Sequence, residues 1–139
     1  MVIWLIGLSG SGKTTLAREI IKGVGKKTKN TVLIDGDIVR NIFGNDLGYS
    51  MKDRLLNAQR ICQMGKFLND QGLNVVCSIL SLFPKTREWN RKNIKNYYEV
   101  FIDTDIDLLV KRDSKGIYSK YKRGEIREVV GMDIKFPVP

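Results

Sequence analysis

Short apolar runs alternate along the chain with longer segments whose hydrophobic residues recur at helical spacing. The run VIWLIGL (2–8) holds no polar residue, as expected of a parallel strand buried on both faces. KTTLAREIIKGV (13–24) follows as a short amphipathic helix, and TVLID (31–35) reads as a second strand. The segment 50–72 predicts the longest helix, with Leu55, Ala58, Ile61, Cys62 and Leu68 near helical spacing. Ser50 with Asp53 resembles a capping box at its start, and Gly72 closes it. LNVVCSIL (73–80) predicts a third strand, 85–95 a basic helix, and YYEVFID (97–103) a fourth strand. DIDLLVKRD (105–113) then reads as a helix led by Asp105. Strands alternating with helices predict an α/β fold of three layers around a mostly parallel sheet. Beyond residue 113 the sequence turns polar, basic and glycine-containing, which predicts a lid over about 113–128 rather than core. No repeat or linker divides the chain, so residues 1–139 are expected to form a single domain.

Composition adds exclusions. Hydrophobic residues make up 42% and charged residues 28%, the balance of a globular protein. No apolar stretch approaches the roughly 18–20 residues that cross a bilayer. The opening residues are too short for a signal peptide and lack a basic leader, so a cytoplasmic protein is expected. Cys62 and Cys77 read as buried thiols; with no histidine and no metal-type spacing, a structural metal is not expected. The net charge of +9 suits a polyanion: nucleic acid, an anionic membrane or a small phosphorylated ligand. The basic residues are densest in 85–95 and 111–127.

The motif GLSGSGKT (7–14) resolves part of that choice. It fits the spacing G-x4-G-K-[ST] and lies between a strand and a helix start. Glycines let the backbone N–H groups curl around phosphate, and the helix N-terminus adds partial positive charge. Gly7, Ser9, Gly10, Ser11, Gly12, Lys13, Thr14 and Thr15 are thus the candidate ATP-binding residues. Lys13 is expected to reach the terminal phosphates, and the Thr14 hydroxyl to help hold Mg2+. The sequence contains no N-K-x-D guanine motif. A small chain with a basic lid fits a nucleotide or small-molecule kinase, in which closure excludes water so that the acceptor outcompetes hydrolysis.

VLIDGDIVR (32–40) sets Asp35 and Asp37 at the carboxyl end of the second strand, where ligands bind in doubly wound sheets. An aspartate there can orient an acceptor hydroxyl and take its proton, or bind Mg2+ through water. Alternatively, Asp37 caps the short helix IVRNIF. Arg40, one turn on, can face the same side and neutralise an acceptor phosphate.

These residues, with NDLGYSMKDR and the Asn57 after it, FIDTDIDLLVKRDSKGIYSK, RGEI and GMD, resemble the adenylyl-sulfate (APS) kinase family from residue 3 to 139. The resemblance implies transfer of the ATP γ-phosphate to a nucleotide 3′-hydroxyl. It implies Asp37 as the catalytic aspartate, with Asp35 supporting a Mg2+ water or the loop. Arg40, Arg54, Asn57 and Ser81 would bind the acceptor, and Tyr49 stands where the family has a phenylalanine packing against the acceptor base. Arg112 and Lys115 lie in the lid segment that contacts ATP and acceptor. The implied partners are ATP and a small anionic nucleotide, rather than nucleic acid or a membrane, and the assembly could be a homodimer.

The departures from the family bear on the acceptor. Where the family reads F-I-S-P-F-R, residues 79–84 read ILSLFP, so Leu82 replaces proline and Pro84 an arginine. Arg87 or Lys85 could restore that charge. Val129 replaces an aromatic that sandwiches adenine, a loss Tyr49 or Tyr121 could offset, and Leu56 stands where an acid is common. The family also carries an N-terminal helical extension and a further strand and helix after PVP. Adenylyl sulfate is the default acceptor on this resemblance. A cytidine diphosphate conjugate such as cytidine diphosphoramidate is the alternative, and a non-catalytic nucleotide- or nucleic-acid-binding module is the third reading. Ser81 reads as a pocket serine in preference to a phosphorylated one, and Trp89 as an apolar anchor in preference to a stacking surface.

Overall fold

Every neighbouring pair of strands in the sheet runs parallel. The computed structural model describes residues 1–25 and 29–139. Strands β1 (Val2–Ile6), β2 (Thr31–Asp35), β3 (Asn74–Ile79) and β4 (Tyr97–Phe101) lie in the order β2-β3-β1-β4. The helices are α1 (Lys13–Gly25), α2 (Gly36–Ile42), α3 (Met51–Asp70), α4 (Pro84–Asn93), α5 (Ile106–Arg112) and α6 (Ile117–Lys122). The expected α/β architecture is present.

β1 is central, and its alternation explains why the run is apolar throughout. Val2, Trp4 and Ile6 join Val75, Cys77, Ile79 and Ile34 in a core closed by Val39, Ile61, Cys62 and Ile94 from the helical side. Leu5 points to the opposite face with Val76 and packs on Ala17 of α1, flanked by Ile20 and Ile21. Two apolar faces on one strand leave no position for a polar residue. Trp89 packs against the larger core, the anchoring role expected of it. Cys62 and Cys77 are buried free thiols; burial pushes both up, Cys62 to about 11, so neither is a thiolate near neutral pH.

The Ser50 hydroxyl accepts the Asp53 amide and caps α3. The Asp53 carboxylate accepts the Gly48 amide, so the reciprocal half of the expected box reaches the preceding loop. Gly72, at φ 84°, follows the end of α3, and the Leu73 amide returns to the Leu68 carbonyl.

The segment after 113 is not devoid of core. Leu109, Tyr118 and Val129 are buried together, with Leu8, Ile106, Ile117, Tyr121, Ile126 and Met132 around them. The periodicity is hidden because these residues come from short elements separated by turns. Asp113 ends α5 in the left-handed region (φ 32°) and its carboxylate accepts the Tyr118 and Ser119 amides that open α6. One residue thus closes one helix with its backbone and starts the next with its side chain.

Candidate active site

The glycine-rich loop leaves β1 at Ile6 and enters α1 at Lys13. A Cβ on Gly7 would lie 2.7 Å from Ser11 Oγ and 3.0 Å from the Ile102 carbonyl, so no side chain fits there. Gly10 and Gly12 have φ of 80° and 93°, which turns the loop back on itself. Lys13 Nζ donates to the Leu8 carbonyl at 2.6 Å, and burial, aided by the nearby Lys115 charge, lowers its pKa from 10.5 to about 8.

The Thr14 hydroxyl donates to Asp35 Oδ2 at 2.9 Å and lies 3.0 Å from Ser78 Oγ. The other oxygen of Asp35 accepts the Asp37 amide at 3.0 Å, making Asp35 the N-cap of α2. Asp37, in the first turn, directs its carboxylate to Lys115 Nζ at 2.9 Å. That contact raises the Lys115 pKa. Of the two roles left open for Asp37, capping belongs to its neighbour.

One cavity of about 770 Å³ takes in this whole region, within the usual size of a ligand site. It is lined by Ser9, Gly10, Gly12, Lys13, Thr14, Thr15, Asp35, Asp37, Arg40, Tyr49, Arg54, Asn57, Ser81 and Lys115, all expected from the sequence. Gly7 and Ser11 shape the loop from behind, with Ser11 buried. Arg112 is exposed at the end of α5 and lies outside the walls. Ser78, Lys120, Arg127 and Glu128 also line the cavity and were not singled out in the sequence. Ile117 and Lys120, one turn apart on α6, face it, while Tyr118 and Tyr121 turn to the apolar cluster; helical spacing was the available signal. The walls carry six cations (Lys13, Arg40, Arg54, Lys115, Lys120, Arg127) against three acids, which suits two anionic ligands together.

Arg40 and Arg54 converge on Tyr49, their guanidinium carbons 4.7 and 5.5 Å from the ring centroid. Arg54 also donates to the Tyr49 carbonyl at 2.6 Å and the Glu128 carbonyl at 2.8 Å, tying α3 to the far wall. Asn57 donates to the Gly36 carbonyl at 3.3 Å, below Asp37. The Tyr118 hydroxyl donates to the Ser9 carbonyl at 2.9 Å, fixing α6 against the phosphate loop.

Ser81 is buried, with φ 56°; its hydroxyl accepts the Trp4 indole N–H at 3.2 Å. Neither candidate replacement for the missing arginine enters the cavity. Arg87 is buried and donates to the Ser81 carbonyl at 2.8 Å, and Lys85 is exposed outside the walls. Pro84 sits in the first turn of α4, where its lost N–H costs no hydrogen bond. Tyr121 packs in the apolar cluster and does not line the cavity, so it does not stand in for an aromatic at Val129. Leu56 is exposed.

Thr14 and Asp35 offer adjacent hard oxygen ligands, and among the described residues no group of three or more His, Cys, Asp or Glu forms a cage. That donor set fits Mg2+, which keeps several waters and shares phosphate oxygens, using few protein ligands.

A parallel α/β sheet whose first, glycine-rich loop has the form that cradles phosphate, beside two strand-end aspartates, defines a P-loop phosphotransferase. The adenylylsulphate kinase family model matches residues 1–139, and the chain belongs to that family of ATP-dependent kinases. It is 43% identical to the cytidine diphosphoramidate kinase of Campylobacter jejuni, over 99% of this chain and 81% of that one. It is 39% identical to the adenylyl-sulfate kinase of Pseudomonas aeruginosa, over 99% of this chain and 71% of that one. Among solved structures, the Mycobacterium tuberculosis APS kinase in complex with AMPPNP and APS superposes with a TM-score of 0.92 at 34% identity, over 99% of this chain and 82% of that chain.

Proposed function

We propose that this kinase transfers the γ-phosphate of ATP to the 3′-hydroxyl of a cytidine diphosphate conjugate of the cytidine diphosphoramidate type. The observation that carries the acceptor choice is Val129, which lines the cavity and stands, by the family resemblance, in place of an aromatic that sandwiches adenine. A purine stacked on an aromatic gains on the order of 1–3 kcal/mol, which a valine does not return. A pyrimidine has less surface to cover. The 43% identity to the Campylobacter enzyme supports the same choice. Adenylyl sulfate is the second reading, favoured by Tyr49, which keeps one aromatic at the wall.

In this reading the P-loop backbone and Lys13 hold the β- and γ-phosphates, and Arg112 contacts ATP from outside the cavity. Arg40, Arg54, Asn57 and Ser81 bind the acceptor. Asp37 accepts the proton of the 3′-hydroxyl as the new O–P bond forms and the bond from the γ-phosphorus to the β–γ bridging oxygen breaks. Mg2+ would be held by Thr14 and, through water, by Asp35; when bound it neutralises charge on the phosphate oxygens. The transition state asks little covalent chemistry of the protein, so positioning and charge carry the rate. Residues 113–128 act as a lid: Tyr118 holds it to Ser9, and Lys115 reaches across to Asp37. For Asp37 to act as a base, the Lys115 ammonium leaves that carboxylate and pairs with phosphate instead. The kinase works as a single domain in the cytoplasm.

Coupled ADP release with a panel of acceptors tests the reading. Turnover with cytidine diphosphoramidate and little with adenylyl sulfate is expected; the reverse preference assigns the chain to the second reading, and no turnover with any nucleotide rejects both.

A further inference from the structure

The loop 80–83 lines the cavity through Leu80, Ser81, Leu82 and Phe83, yet Ser81 adopts a conformation that non-glycine residues rarely hold. A left-handed residue of this kind is strained and persists only where its surroundings over-determine it. Two bonds do so here. The Trp4 indole N–H reaches the Ser81 hydroxyl at 3.2 Å, and Arg87 Nη1 reaches the Ser81 carbonyl at 2.8 Å.

Arg87 is 4% exposed, and a guanidinium so buried is costly unless charge and hydrogen bonds are both answered. Its counter-charge is Glu99, the register partner of Trp4 on β4, but Arg87 Nε stands 4.0 Å from Glu99 Oε2. Arg91, one turn along α4, bonds that same oxygen directly. Arg87 Nε and Glu99 Oε1 are both left buried without a hydrogen-bond partner. The direct bond of this buried cation therefore goes to the backbone of the cavity loop and not to its counter-ion.

We infer that Arg87 is a positioning residue for the acceptor: through the Ser81 carbonyl, and balanced by Glu99, it holds loop 80–83 in the one conformation that completes the acceptor wall. The basic run 85–95 thus contributes to the site from behind, without touching a ligand. This rests on the functional reading above, in which Ser81 belongs to the acceptor side of the cavity.

Arg87→Lys separates the bond from the charge. A lysine keeps a cation opposite Glu99 but ends one bond short of the Ser81 carbonyl. Expected are a rise in acceptor KM on the order of tenfold and an ATP KM within about twofold of the parent. The chain has two tryptophans, so a Trp89→Phe background leaves Trp4 as the sole indole reporter of the Ser81 contact. There, Arg87→Lys is expected to shift Trp4 emission to the blue as the indole loses its acceptor. Arg87→Met, which also strips the charge facing Glu99, is the harsher arm; if it does not fold, Arg87→Lys decides alone. An unchanged acceptor KM with unchanged Trp4 emission overturns the inference, as does a parallel rise in both KM values. Should the parent protein phosphorylate no nucleotide, the functional reading fails while the emission shift still reports whether Arg87 sets the loop.

Discussion

The Asp35 carboxylate accepts the backbone amide of Asp37 at 3.0 Å, while its second oxygen accepts the Thr14 hydroxyl at 2.9 Å. This division of labour gives the two acids different fates. Asp35 is committed on both oxygens, to the start of α2 and to the phosphate loop. Asp37 is left with its carboxylate in the cavity, paired with Lys115 from the segment after α5.

Asp37→Asn should therefore lower kcat by roughly 10²–10⁴-fold, the usual range for a general base, with ATP KM nearly unchanged. Steady-state kinetics against both substrates measures the split. Stability should move little, since the Asp37–Lys115 pair is more than half exposed and such pairs are worth about 0–1 kcal/mol. A variant with near-parental kcat removes Asp37 from the chemistry.

Asp35 is separable into cap and charge. Asp35→Ala loses the capping oxygen and should cost about 1 kcal/mol, a drop of about 4 °C in Tm for a chain of this size. Asparagine caps as well as aspartate, so Asp35→Asn should melt close to the parent yet require more Mg2+ for half-maximal activity. Thermal unfolding paired with a Mg2+ titration reads both. Equal losses of Tm in the two variants would refute the capping role.

Lys13 supplies a pH signature. Its pKa is lowered to about 8, first by burial and then by Lys115. Polyphosphate prefers the charged ammonium, so ATP affinity should fall as pH rises through about 8. Binding ATP should raise the Lys13 pKa, giving proton uptake near pH 9, measurable by calorimetry in buffers of different ionisation enthalpy. The sign for folding is opposite. Between about 8 and the unfolded value of 10.5 the unfolded chain holds more protons at this site, so the Lys13 contribution to stability increases with pH there. Lys13→Met should abolish the proton uptake along with phosphate transfer.

The sequence carried the sheet and the phosphate loop well, because β1 and the 7–14 motif express their constraints locally: two buried faces, a glycine where a Cβ would collide and two more at positive φ. The family resemblance assigned Asp35 and Asp37 different roles, but strand-exit position alone left capping open for Asp37, since only the chain's turn into α2 decides which carboxylate meets the amide. Arg87, one of two candidates to restore the missing charge, stays out of the cavity, and a basic run gives no sign that one member is buried between the Ser81 carbonyl and Glu99, a residue of the next strand. The buried cluster of Leu109, Tyr118 and Val129 was hidden for a related reason: its members belong to three separate pieces of chain, each too short for a visible period.

Val129 offers the sharpest test of substrate choice. Its side chain is 6% exposed, shared between the cavity wall and the cluster with Leu109 and Tyr118, and its amide is fixed by Asp133. Backbone placement at 129 is thus set independently of the side chain, and Val129→Phe should present a ring to the cavity without moving the wall. Overpacking against the cluster should cost about 1–3 kcal/mol of stability. In return, the ratio of kcat/KM for adenylyl sulfate over the cytidine conjugate should rise about tenfold, the lower end of what stacking a base on an aromatic provides. Competition assays with both acceptors present measure that ratio directly. A folded Val129→Phe enzyme with the parental ratio would show that base selection lies elsewhere on the wall, and Leu82, buried on the same cavity, would be the next residue to exchange.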